Sequence, residues 1–113
     1  MPLKIHIRQV GRVAIMDLEG PLRLGAAEET FRENTRLLLA AGTSFVAINL
    51  ARVSDVDSSG VGVFVRTLLQ FHCAGGTCVF FSANDRVRSV FKMVRLDKVF
   101  DLADDEAAAL ARF

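Results

Sequence analysis

The chain has neither tryptophan nor tyrosine, so nine phenylalanines supply every aromatic ring. That absence counts against a flavin or nucleotide site built on stacking aromatics with a polar handle. Cysteine is scarce too: Cys73 and Cys78 stand alone, spaced CxxxxC across Gly75 and Gly76. Two thiols cannot build the disulfide framework of a small secreted domain, and no further Cys or His pair completes a zinc site. Both are read as reduced and mostly buried. His6 and His72 lie far apart, and neither has an HExxH-type companion. No metal and no cofactor is expected.

Neither sign of charge prevails, since 14 basic side chains face 13 acidic ones and the formal net charge is +1. The basic excess that nucleic acid or an anionic membrane requires is missing. No apolar run approaches the length of a membrane span, and the start, MPLKIHIRQVGRV, lacks a signal peptide's hydrophobic stretch. A cytoplasmic protein is expected. Repeats, low-complexity tracts and linkers are absent as well. What remains is 113 residues, 51% hydrophobic and 24% charged, which suits one globular domain over residues 1–113.

Residues 3–8, LKIHIR, alternate apolar and polar like a strand with one wet face, and 12–18, RVAIMDL, can pair with them across Gly11. Gly20-Pro21 ends the second strand. Residues 26–41 read as a helix with acidic residues in its first turn, Gly42 after its end, and Phe31, Leu38 and Leu39 on its apolar side. FVAINL (45–50) and TCVFFS (77–82) suit strands buried on both faces. Between them VGVFVRTLLQFHCA mixes β-branched residues with helix formers, and its length and the Gly75-Gly76 stop favour a helix. Ser82 or Asn84 can cap a further helix that places Val87, Val90, Phe91 and Val94 at helical spacing. A short strand near Val99-Phe100 and a last helix from Asp104 complete the order β-β-α-β-α-β-α-β-α. Crossover helices after the hairpin predict an α/β fold with a mixed, mostly parallel sheet and helices packed against it.

The stretch VSDVDSSGVGVFVR, residues 53–66, is the informative one. Its cluster Asp57-Ser58-Ser59-Gly60 falls where a central strand hands over to a helix, at the sheet edge where ligands and partners are usually met. Capping by Asp57 or Ser58 would satisfy one orphan amide and contribute about 1 kcal/mol. A cap explains neither the second hydroxyl nor glycines at both 60 and 62, where alanine would favour a helix by about 1 kcal/mol each. Something must therefore approach closely, either a facing strand or a partner.

Catalytic templates fail letter by letter. Gly60-x-Gly62 is not followed by the third glycine of a dinucleotide fingerprint, and no Gly-Lys-Ser/Thr or GxSxG occurs. No histidine has a position that argues for a base beside Ser58. Asp55 and Asp57 are expected on a loop, and Asp104 with Asp105 at a helix cap. The chain is read as no enzyme, with no catalytic residue. A serine modified by another protein's enzyme remains, because a phosphoryl group of about −1.5 to −2 charge is tolerated at a helix N-terminus.

The element order, with DVDSSGVGVF after the central strand and VFKMVRLDKVFDL towards the end, is similar to the STAS domain (sulfate transporter and anti-sigma factor antagonist) over nearly the whole chain. The resemblance implies a free-standing bacterial anti-sigma factor antagonist that regulates transcription through protein–protein interaction. Ser58 would then be the phosphorylation site, with Asp57 presenting it and Ser59 and Gly60 shaping the helix start. Unphosphorylated protein would bind an anti-sigma factor serine/threonine kinase of the GHKL ATPase type and free the sigma factor, and a serine phosphatase would reset it. The partner-binding surface would comprise Leu22, Arg23, Leu24, Ser58, Ser59, Val61, Gly62 and Arg66; weak homodimerisation is compatible with it. In GPLRLG, Arg23 stands where the family commonly has an acidic residue, either as a solvated loop residue or close enough to pair with phosphorylated Ser58. Two alternatives stay open. One is a constitutive STAS scaffold subunit of a stress-signalling assembly or lipid-transport ATPase, and the other a flavodoxin-type binder of a phosphate-bearing ligand.

Overall fold

The computed structural model describes residues 2–100 and 102–113. Strands β1 (Lys4–Val10) and β2 (Val13–Glu19) form an antiparallel hairpin closed by Val10 opposite Val13, with Gly11 at φ 58° in the turn. Only a residue without Cβ adopts that left-handed conformation at no steric cost. Helix α1 (Ala26–Ala40) leads to β3 (Phe45–Arg52), α2 (Ser58–Cys73) to β4 (Thr77–Phe81), and α3 (Asp85–Met93) and α4 (Glu106–Leu110) follow. The sheet order is β1-β2-β3-β4, with β3 parallel to both β2 and β4. The expected alternation of strands and crossover helices thus gives a mixed sheet in which two of three pairings are parallel.

Strand alternation divides the apolar residues between two faces. Met16, Leu18, Ile48, Leu50 and Phe80 point to the face covered by α1, α2 and α3, where Phe31, Phe64, Phe71 and Phe91 are fully buried. Phe64 is the pivot of that face. Its ring centroid lies 5.4 Å from Phe31, 4.9 Å from Phe80 and 6.3 Å from Phe91, so one α2 side chain meets both neighbouring helices and the sheet. Ile15, Ala47, Val79 and Phe81 face the other way and are covered by Ala109 of α4.

Among the described residues one expected element is absent. Val99 and Phe100 lie in a turn, and both of their amides donate to the Leu96 carbonyl, at 3.1 and 3.2 Å, so neither is free for a strand ladder. Phe100 instead packs its ring 5.1 Å from Phe80 and 4.8 Å from Phe91. The fifth strand shrinks to a single parallel bridge between Ala103 and Phe81. Burial of one aromatic ring outweighs the β-propensity of the Val-Phe pair.

Candidate functional site

Beyond the carboxyl edge of the sheet, the β2–α1 and β3–α2 connections continue side by side. Gly20 donates to the Arg52 carbonyl and Leu22 to the Asp55 carbonyl, both at 2.9 Å, and Leu22 forms a parallel bridge with Val56. Asp57 then caps α2 from extended backbone. Its Oδ1 accepts the Gly60 amide at 2.8 Å, while Oδ2 accepts the Leu24 amide at 3.2 Å. One carboxylate therefore ends one loop and starts one helix. The chain closes so tightly here that a Cβ on Gly60 would lie 2.6 Å from the Leu22 carbonyl oxygen and 2.5 Å from Val56 Cγ2. The close approach expected at the glycines is real at Gly60 and comes from the chain itself. Gly62 differs, because nothing lies within 4 Å of its would-be Cβ.

The two hydroxyls have separate fates. Ser58 is the first residue of α2 and is exposed. Ser59 is half-buried and donates to Glu28 Oε2 at 2.9 Å, which explains the second hydroxyl. Glu28 was not singled out in the sequence. It sits in the first turn of α1 with its side chain only 12% exposed, and its Oε1 also meets Arg66 at 3.3 Å and Arg32 at 3.8 Å. Its contacts to α2 lie 31 and 38 residues away, beyond any local pattern.

Arg23 is exposed but not merely solvated: its Nη2 lies 2.7 Å from Asp55 Oδ2. That hydrogen bond holds the Asp55 carboxyl below the usual carboxylate range, against the opposing effect of desolvation; the Val56 amide and the charge of Arg86 act in the same direction as Arg23. Leu22 and Val61 were expected on the partner surface, yet they are 0% and 1% exposed. Their side chains anchor the loop and helix from below, so neither can touch a partner in this conformation. At the rim, Arg23, Leu24, Ser58 and Arg66 are exposed, Leu24 at 76%, and Ser59 and Gly62 between them are half-buried.

Helical spacing extends this rim along α2. Ser58, Gly62, Val65 and Leu69 share one face, Val65 being half-buried and Leu69 exposed. The helical periodicity of that face is the sequence signal that places Leu69 on it. Chemically, the edge offers one accessible hydroxyl at a helix N-terminus beside an apolar strip. Among the described residues, no group of three or more His, Cys, Asp or Glu side chains gathers to hold a metal ion, and no helix is long and apolar enough to cross a membrane.

Comparison with known proteins agrees with this architecture. The STAS domain family model matches residues 4–109. A candidate anti-sigma factor antagonist of Thermotoga neapolitana is 31% identical over 72 residues, 64% of this chain and 64% of that protein, so the chain spans under two thirds of the curated relative it matches. The crystal structure of a candidate anti-sigma factor antagonist from Thermotoga maritima superposes with a TM-score of 0.81 at 22% identity, covering 96% of this chain and 92% of the other. The Bacillus cell fate determinant SpoIIAA, in its phosphorylated form, gives a TM-score of 0.73 at 24% identity over 96% of this chain and 98% of the other. On its sequence match and its fold, the chain belongs to the STAS domain family.

Proposed function

We propose that the protein is an anti-sigma factor antagonist switched by phosphorylation of Ser58. The observation that carries this reading is the exposed Ser58 hydroxyl at the N-terminus of α2, next to the apolar strip of Leu24, Gly62, Val65 and Leu69. Relatives named as anti-sigma factor antagonists, and SpoIIAA solved both phosphorylated and unphosphorylated, support it. The partner is an anti-sigma factor that is also a serine kinase, and a serine phosphatase reverses the modification.

Magnitudes explain why the switch acts at the interface and leaves the fold alone. At an exposed helix N-terminus a phosphoryl group gains roughly 0.3–1 kcal/mol from the helix dipole, too little to reshape the domain. The same charge, desolvated against a partner without a matching cation, costs several kcal/mol. About 3 kcal/mol at the interface lowers affinity more than a hundredfold.

The test is capture from extracts of the source organism with wild-type, Ser58→Ala and Ser58→Asp protein as bait. A kinase with an anti-sigma domain should be retained by the first two and lost from the third. Equal retention on all three sinks the switch and favours the constitutive scaffold, in which Asp57 and Ser59 act only as cap and clasp.

A further inference from the structure

We infer that Glu28 is a positioning residue that decides which of two adjacent serines accepts the phosphoryl group. The inference rests on the phosphorylation reading above and deepens it. Ser58 and Ser59 share the first turn of α2, and a kinase that reaches one is within a residue of the other. Nothing in the local sequence separates them. Their surroundings do.

Among the described residues, Ser58 is exposed and its hydroxyl has no hydrogen-bond partner. Ser59 directs its hydroxyl at Glu28 Oε2, 2.9 Å away, across the seam between α1 and α2. Glu28 is itself fixed: Arg66 and Arg32 approach its other oxygen at 3.3 and 3.8 Å, and its side chain is 12% exposed. A hydrogen bond to an ionised carboxylate is among the stronger ones, and a buried acceptor left without its donor is penalised. Breaking it holds Ser59 back by roughly ten- to a hundredfold relative to a free hydroxyl. The product is disfavoured as well, because phosphorylated Ser59 would put a second negative charge against the Glu28 carboxylate.

Phosphoryl transfer therefore falls to Ser58. Its Oγ bonds to the γ-phosphorus of ATP held by the kinase, the bond to the β–γ bridging oxygen breaks, ADP leaves, and the hydroxyl proton passes to a base on the kinase. Glu28 touches none of these atoms. It acts through Ser59, by keeping the competing hydroxyl turned inward.

The experiment expresses full-length wild-type, Glu28→Ala, Glu28→Gln and Ser58→Ala protein in the source organism. Each is purified and digested with trypsin, and the Val53–Arg66 peptide is fragmented to assign phosphate among Ser54, Ser58 and Ser59. Wild type should carry it on Ser58. In Glu28→Ala the Ser59-to-Ser58 ratio should rise roughly tenfold or more, and in Glu28→Gln, whose amide oxygen still accepts but carries no charge, it should rise less, to a value between wild type and Glu28→Ala. Ser58→Ala should carry phosphate on Ser59 at no more than about a tenth of the wild-type occupancy of Ser58, and this variant leaves the clasp intact should Glu28→Ala fail to fold. An unchanged ratio in folded Glu28→Ala, or Ser59 in Ser58→Ala phosphorylated as fully as Ser58 in wild type, overturns the role of Glu28 while the switch survives. Phosphate on neither serine of the wild type removes the phosphorylation reading and this inference together.

Discussion

Replacing Gly60 and Gly62 singly with alanine should shift stability in opposite directions, although only Val61 separates them on the same helix. Both changes remove a helix-interior glycine and gain roughly 0.5–1 kcal/mol from the backbone. At Gly62 nothing lies within 4 Å of the added methyl group, so that gain should appear in full. At Gly60 the methyl group would sit 2.6 Å from the Leu22 carbonyl oxygen and 2.5 Å from Val56 Cγ2, close to an ångström inside ordinary contact. The Leu22 strand cannot simply retreat, because its amide is bound to the Asp55 carbonyl at 2.9 Å and its carbonyl accepts the Asp57 amide at 3.3 Å. Overpacking typically costs about 1–3 kcal/mol, and loosening one of these bonds about 1 kcal/mol more. Gly60→Ala should therefore be destabilised by about 1–3 kcal/mol net. The assay is urea unfolding followed by far-ultraviolet circular dichroism, since the chain has no tryptophan to report by fluorescence. A Gly60→Ala protein as stable as wild type would refute the tight seam between the two loops. A destabilised Gly62→Ala would show that its surroundings are not open.

Three other outcomes are expected. Asp57→Ala removes the acceptor for both the Gly60 and Leu24 amides and should cost about 1–2 kcal/mol in the same urea assay. Asp17 accepts from Arg8 at 2.7 Å, and this hydrogen bond foremost, followed by that of Asn49, holds its carboxyl below the usual range against the effect of desolvation. Its contribution is thus complete above the unfolded carboxylate pKa of about 4 and fades as pH falls through the lower folded value, so Asp17→Asn should flatten the acid limb of a urea-midpoint titration. A thiol reagent should label exposed Cys73 in the native protein and reach Cys78 only on unfolding, because that thiol is buried and desolvation raises its pKa.

The hairpin, the parallel order and the position of the DSSG cluster were legible because each is a local signal: alternation, glycine punctuation, or a polar cluster at a strand-to-helix junction. Helix α2 begins at Ser58, before the apolar run that announced it, because the Asp57 cap draws the polar residues into its first turn. Other features depend on distant partners. Glu28 reads as an ordinary first-turn acid until α2 brings Ser59 and Arg66 beside it. Leu22 and Val61 look like surface apolar residues of a motif until the loops close over them. The Val99-Phe100 pair has strand character in isolation, but the pocket between Phe80 and Phe91 takes the Phe100 ring into a turn.

The central claim concerns the Ser58 hydroxyl, and trypsin isolates it. Cleavage after Arg52 and Arg66 releases Val53–Arg66 as one peptide carrying Ser54, Ser58 and Ser59, which fragmentation tells apart. Protein purified from its own host under several growth conditions should yield this peptide with a phosphoryl group on Ser58 whose occupancy changes with condition. A peptide that is unmodified under every condition would contradict the switch and leave the cluster as the cap of α2.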